Sequence, residues 1–242
     1  MRFRFLNHCQ SQEHNHKHIH NRNHINNQIH INNHINKNNK ITPREFNIWK
    51  RLLNKAEGSV LWLVQSNQWS EVNLKKEAQA RGLDPARLIF AKPCEYSEYL
   101  MRMTKADLFL DTFNYNAGAI ANDALWCGLP IVTNQGRGYA ARMASSLLSA
   151  IDLPELITTT EDDYEKLALD LATNPKRLKS IKAKLVVNKE LTPVFDTERF
   201  TRNIETAYTQ MYEKYFAGEK PGHLYVKAVP RHEENTSIIY NL

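Results

Sequence analysis

Leu108-Phe-Leu-Asp-Thr-Phe-Asn-Tyr-Asn-Ala-Gly-Ala-Ile-Ala-Asn-Asp-Ala-Leu-Trp-Cys-Gly-Leu-Pro-Ile-Val-Thr133 is the stretch whose reading decides the fold. A short apolar run leads to Asp111, a loop holds Asn116 and Gly118, a helical segment carries Asp123, and a second apolar run ends at Thr133. Strand, loop, helix and strand in that order form the repeating unit of a parallel α/β sheet. A loop between a buried strand and a helix N-terminus leaves backbone N–H groups free to hold a phosphate. An acid about one turn into that helix is placed to meet a sugar hydroxyl. The chemistry expected here is that of a phosphate-and-ribose site.

The same alternation runs outward on both sides. Thr42-Pro-Arg-Glu45 is a helix start, with Thr as N-cap, Pro at the first position and Glu three residues after the cap. Phe46, Trp49, Leu52, Leu53 and Ala56 follow at helical spacing, and Gly58 ends the run. Ser59 to Gln65 is almost continuously apolar, which predicts a parallel strand buried on both faces. The spacing then predicts a helix over 71–81 closing at Gly82, a strand over 87–91, a helix over 97–105 and a strand over 107–111. Helix 119–127, strand 130–133 and helix 139–150 come next, and the remainder reads as helices over 161–173, 175–187 and 196–216. This is a doubly wound, Rossmann-like parallel sheet with a helical C-terminal tail. Its ligand is expected outside the carboxyl ends of the strands, just after Gln65, Ala91, Asp111 and Thr133. Trp49, Trp62 and Trp126 are expected in the core. Gln135-Gly-Arg-Gly138 lacks the third glycine of a dinucleotide turn and is expected to shape the loop before Arg142, whose guanidinium would face a phosphate or a core acid.

Composition separates the chain into parts. Residues 1–40 hold eight of the ten histidines and six Lys/Arg against the single acid Glu13, so +5 of the net charge of +6 belongs to this segment. The body is close to neutral and has no basic stripe interleaved with aromatics, which argues against nucleic-acid binding. Residues 1–35 read as a low-complexity, Asn/His-rich, disordered leader. Its imidazoles suit a transition metal, but the repeat offers no fixed ligand geometry, and no metal site is expected. Cys9, Cys94 and Cys127 are too widely spaced for a disulfide framework or a metal pair and read as reduced thiols of a cytoplasmic protein. No run approaches the ~18 apolar residues of a membrane span.

On these residues the chain resembles the C-terminal half of the catalytic region of the O-linked N-acetylglucosamine transferases, the family 41 glycosyltransferases that include the plant SPINDLY-type proteins. The resemblance rests on Asn36-Lys-Asn-Asn-Lys-Ile-Thr-Pro43, Trp49, Ser59-Val-Leu-Trp-Leu63, Arg87-Leu-Ile-Phe90, Ala106-Asp-Leu-Phe-Leu-Asp-Thr112, Asn116, Asp123 to Thr133, Arg142 and Ala144-Ser-Ser146. It extends to Tyr208–His223, so that residues 36–224 form the lobe and 225–242 a tail. It implies the nucleotide-sugar-binding lobe of a two-lobed GT-B enzyme that passes a sugar from UDP-N-acetylglucosamine, or another nucleotide sugar, to a Ser/Thr hydroxyl of an acceptor protein. No metal or other cofactor is implied, because cationic side chains and a helix N-terminus offset the diphosphate charge. Lys40 matches the family lysine at the diphosphate, Asp123 the acid on the ribose hydroxyls, and Arg102 an arginine near the uracil pocket. Tyr99 stands where the family has a uracil-flanking histidine. Asn116 and Gly118 would hold the loop, with Gly118 supplying a positive φ or a close backbone approach. For Arg102, an i,i+4 pair with Glu98 is an equally plain account.

Two departures bear on activity. Where the family's best-known loop is His-Thr-Thr, this chain has Gly118, Ala119 and Ile120, so only backbone N–H groups face the phosphate. The family's preceding lobe, with its histidine near the reacting centre and the TPR helices before it, has no counterpart: no histidine lies between Ile35 and Gly222. No catalytic residue is therefore identified, and the chain alone is expected to be incomplete and inactive, with a separately encoded N-terminal lobe as a candidate partner. The alternative is a non-catalytic nucleotide-binding or interaction module.

Overall fold

The structure, a computed structural model, describes residues 30–33 and 38–227. It is a six-stranded parallel sheet with helices on both faces. The elements run β1 His30–Asn33, α1 Pro43–Lys55, β2 Val60–Val64, α2 Gln68–Ala80, β3 Leu88–Ala91, α3 Tyr96–Met103 and β4 Leu108–Leu110. They continue with α4 Ala119–Trp126, β5 Ile131–Asn134, α5 Met143–Ala150, β6 Ile157–Thr158, α6 Glu161–Thr173, α7 Pro175–Leu191 and α8 Thr197–Phe216. The strand order is β3-β2-β1-β4-β5-β6, with every pairing parallel. That is the doubly wound order, and its direction reverses between β1 and β4.

β1 corrects the reading of the leader. It lies within residues 1–35, yet its backbone pairs with β2 on one side and β4 on the other. Low complexity describes composition, whereas a central strand needs backbone hydrogen bonds on both sides and no proline to block them. Without this segment the paired edges of β2 and β4 would have no common neighbour. The rest of the leader, and with it the expectation about metal binding, lies outside the described residues, as do Cys9 and the end of the tail.

The core follows the sequence pattern with two exceptions. Phe46, Trp49, Leu52 and Leu53 of α1 are buried, as are Leu108, Phe109 and Leu110 of β4. β2 was expected to be covered on both faces, but Leu61 and Leu63 are buried while Val60, Trp62 and Val64 are half-buried. Trp126 is 53% exposed and lies edge-on to Phe195, with the Lys189 ammonium 4.8 Å from its ring centre. A tryptophan at a helix end can satisfy one face against a neighbour and leave the other in water, which apolar spacing alone does not distinguish from a core position.

Candidate functional site

The site is built where the strand order reverses. The one-turn helix Asn38–Lys40 follows β1, and the loop 111–118 follows β4. Lys40 Nζ donates to the carbonyl of Asn116 at 3.5 Å and lies 3.9 Å from the Tyr115 ring centre. Residues 76 apart in sequence thus meet at the crevice where open α/β sheets place their ligands. Asn38 and Asn39 of the same turn line an open cleft of about 940 Å3, together with Asn67, Ser70, Pro93 and Tyr99 among others. Asn38 Nδ2 donates to Val64 O and Ser70 Oγ, both at 3.0 Å, while its buried Oδ1 has no hydrogen-bond partner among the described residues.

The loop is held from inside by two buried carboxylates. Asp111 Oδ1 accepts from the N–H groups of Thr112 at 2.9 Å and Ala117 at 2.8 Å, and Oδ2 accepts from the Thr133 hydroxyl at 2.8 Å. The sequence presents Glu45 only as the third residue of a capping box. Its Oε2 does accept from Thr42 N at 3.1 Å, but Oε1 accepts from Phe113 N at 2.9 Å. Tyr164 Oη donates to the Asp111 carbonyl at 3.1 Å and accepts from Trp49 Nε1 at 3.2 Å. One connected polar network therefore ties α1, β4, β5 and α6 to the loop. The links between elements, from Thr133 to Asp111, Phe113 to Glu45, Tyr164 to Asp111 and Trp49 to Tyr164, join residues remote in sequence, so periodicity carries no signal for them.

Asn116 is fully buried, and its Nδ2 donates to Thr112 O at 2.6 Å. It therefore holds the loop together from within. Gly118 is the N-cap of α4 with φ −104° and no side-chain cap on the helix. The positive φ expected there is absent, and an added Cβ would meet only Met143 Cε at an ordinary 3.7 Å. Close approach belongs instead to Gly136, where a Cβ would lie 2.6 Å from Ala141 Cβ. Its N–H donates to Ala141 O at 2.8 Å, so this glycine shapes the turn leading toward α5. Ala119 and Ile120 open α4 and bring no polar side chain, which leaves the first-turn N–H groups as the polar atoms available at that end. Arg142 is exposed, which excludes a core acid as its partner.

Asp123 sits on α4, half-buried, with both carboxylate oxygens engaged. Tyr96 Oη donates to Oδ1 at 2.9 Å and Tyr99 Oη to Oδ2 at 3.3 Å. The two rings are 5.8 Å apart and tilted by 31°. Burial and then the Asp123 charge push the Tyr99 phenol well up, and the hydrogen bond to Asp123 raises that of Tyr96, so both hydroxyls are protonated donors at neutral pH. The sequence carries no signal for Tyr96, because an isolated tyrosine at a helix start makes no pattern. Arg102 takes the plainer of its two expected roles: Nη2 donates to Glu98 Oε1 at 2.6 Å and Nη1 to Lys92 O at 2.7 Å. It braces the loop after β3, whose Lys92, Pro93 and Cys94 line the cleft.

Comparison with known proteins places this geometry in context. The profile of glycosyl transferase family 41 matches residues 14–204. The chain is 31% identical over 185 residues to a Caenorhabditis elegans UDP-N-acetylglucosamine–peptide N-acetylglucosaminyltransferase, covering 76% of this chain and 16% of the relative. It is 32% identical over 188 residues to a probable enzyme of the same description from Arabidopsis thaliana, covering 77% and 19%. The chain thus spans less than a fifth of the length of either relative. Among solved structures, it matches a mutant O-GlcNAc transferase of Thermobaculum terrenum with a TM-score of 0.71 at 26% identity, over 76% of this chain and 36% of that one. An Anabaena protein solved with UDP and glucose matches at a TM-score of 0.52 and 15% identity, over 77% and 49%, which is a likeness of fold alone.

Proposed function

The chain belongs to glycosyl transferase family 41, and from that membership we propose that its switch-point crevice binds the UDP moiety of a nucleotide sugar, as one lobe of a protein O-glycosyltransferase. The observation that carries the reading is the meeting of Lys40, loop 111–118 and the N-terminus of α4 where the strand order reverses. In it, Lys40 and the first-turn N–H groups of Ala119 and Ile120 take the diphosphate, offsetting its charge without a metal. Asp123 accepts from the ribose hydroxyls, the Tyr99 ring lies against the base, and Arg102 acts indirectly by fixing the loop after β3. Asn116 and Gly118 keep loop 111–118 in shape. The sugar is N-acetylglucosamine or a related hexose, and the acceptor is a Ser/Thr hydroxyl of a cytoplasmic protein.

Transfer needs a second lobe to exclude water and orient the acceptor. We assign that role to a partner corresponding to the part of the relatives this chain does not span. The tail supports a docked partner: no residue of α8 is buried, and Tyr208, Met211, Tyr212 and Tyr215 are all more than half exposed. A non-catalytic nucleotide-binding module shares the same crevice, and turnover separates the two readings.

Calorimetric titration of the 242-residue chain with UDP tests the site. UDP is expected to bind without added metal, and Lys40→Ala to weaken it by roughly tenfold, the loss of one charge-assisted contact. Undiminished binding by Lys40→Ala, or no binding by the native chain, overturns the reading.

A further inference from the structure

We propose that Tyr96 is a latch on Asp123, which a ligand carrying a vicinal diol opens by replacing its hydroxyl. This rests on the reading of Asp123 as the ribose acceptor and adds to it the step by which that carboxylate becomes available. Three observations lead to it. Both oxygens of Asp123 already accept a hydroxyl, one from Tyr96 and one from Tyr99. Two hydroxyl donors on one carboxylate satisfy the same hydrogen-bonding capacity that a ribose cis-diol would satisfy. Finally, both tyrosines line the cleft whereas Asp123 does not, so the pair stands between the cleft and the carboxylate.

The two tyrosines are not equivalent. Tyr99 is half-buried, packs against the hydrophobic core and has its hydroxyl partly removed from water. Tyr96 is the first residue of α3 and is 62% exposed, so its side chain can leave with little loss of packing. Its bond to Asp123 lies in water-accessible surroundings, where a hydrogen bond to a charged group is readily exchanged. Tyr99 therefore stays as the positioning partner that fixes the Asp123 rotamer, while Tyr96 yields its place. A ligand without the diol has no donor to replace the Tyr96 hydroxyl and leaves the latch closed. Such a device lowers the affinity for a diol-bearing ligand by the strength of the Tyr96 bond and leaves a ligand without the diol unaffected.

The test measures affinities of the native chain, Tyr96→Phe and Asp123→Asn for UDP and for 2′,3′-dideoxy-UDP. Tyr96→Phe removes the competing hydroxyl and keeps the ring, and its exposed position makes misfolding no obstacle. It is expected to bind UDP about threefold to tenfold tighter than the native chain, the equivalent of one exposed hydrogen bond, with dideoxy-UDP unchanged. Equal or weaker UDP binding by Tyr96→Phe overturns the latch, and so does an equal gain for both ligands, which would point to the ring. The underlying reading is judged separately. If native UDP binding is unaffected by Asp123→Asn, the ribose assignment fails and takes the latch with it. If Asp123→Asn weakens UDP and Tyr96→Phe does not strengthen it, only the latch falls.

Discussion

Asp111 joins three segments through a single carboxylate, and the consequences of removing it can be stated group by group. Asp111→Ala leaves two buried backbone N–H groups and the Thr133 hydroxyl without their acceptor. The expected loss is about 2–4 kcal/mol of unfolding free energy, read from urea denaturation, whereas Asp111→Asn keeps one acceptor oxygen and should lose about half of that. A loss below about 1 kcal/mol for the alanine variant would mean that the loop is held by other contacts. Tyr164→Phe strands the Trp49 indole N–H in a fully buried position, at an expected cost of about 1–3 kcal/mol. At Gly136 the constraint is space. Ala141 Cβ is fixed to backbone and cannot swing aside, so Gly136→Ala should lower stability by about 1–3 kcal/mol, measurable as a lower urea midpoint.

Between elements, the clasp of α1 on α6 has a defined pH signature. The Arg51 guanidinium donates to both oxygens of Glu165, at 3.1 and 2.9 Å from Nε, and Lys55 adds a bond at 3.3 Å. The hydrogen bond from Arg51 is the main cause that holds the Glu165 carboxyl below its ordinary range. A folded pKa below the unfolded one stabilises above the unfolded value of about 4.3 and loses that contribution as pH falls through the folded value. Because Arg51 is 46% exposed, the pair is screened, and Glu165→Gln should cost only about 0.5–1 kcal/mol at pH 7. The difference from the native chain should shrink as pH drops from about 5 toward 3 in paired chemical denaturations. A gap independent of pH would show that the glutamate acts by packing alone. Some element ends are readable in the sequence, because local chemistry writes them, whereas α2 and α5 begin at Gln68 and Met143 instead of 71 and 139, and α7 runs past 187 to Leu191. Thr42-Pro43 opens α1, Asn174-Pro175 opens α7, and Gly128 at φ 76° closes α4 before β5. β1 was the least readable, since a strand in the middle of a sheet is specified by its neighbours' unpaired backbone groups.

As a whole molecule the chain is one Rossmann-like lobe of the GT-B type, and among the described residues no helix is long and apolar enough to cross a membrane. On the proposed reading, a lobe that binds a donor without an opposing wall should not turn it over. The purified chain is therefore expected to release no UDP from UDP-N-acetylglucosamine above the uncatalysed rate, and steady release would overturn the need for a partner. The alternation of strands and helices and the family were legible in order and spacing, because each depends on runs of residues near one another in sequence. Burial and pairing across the sheet were not. Trp126 at the surface, Gly118 in an ordinary conformation, Glu45 holding Phe113 and Tyr96 closing over Asp123 depend on what the fold brings alongside them. The sequence by itself determined a parallel α/β sheet with a loop and a helix N-terminus after β4. Only the tertiary structure decided that its loop hangs on two buried carboxylates and that its acid is already occupied, because hydrogen bonds between distant segments leave no periodic trace in the chain.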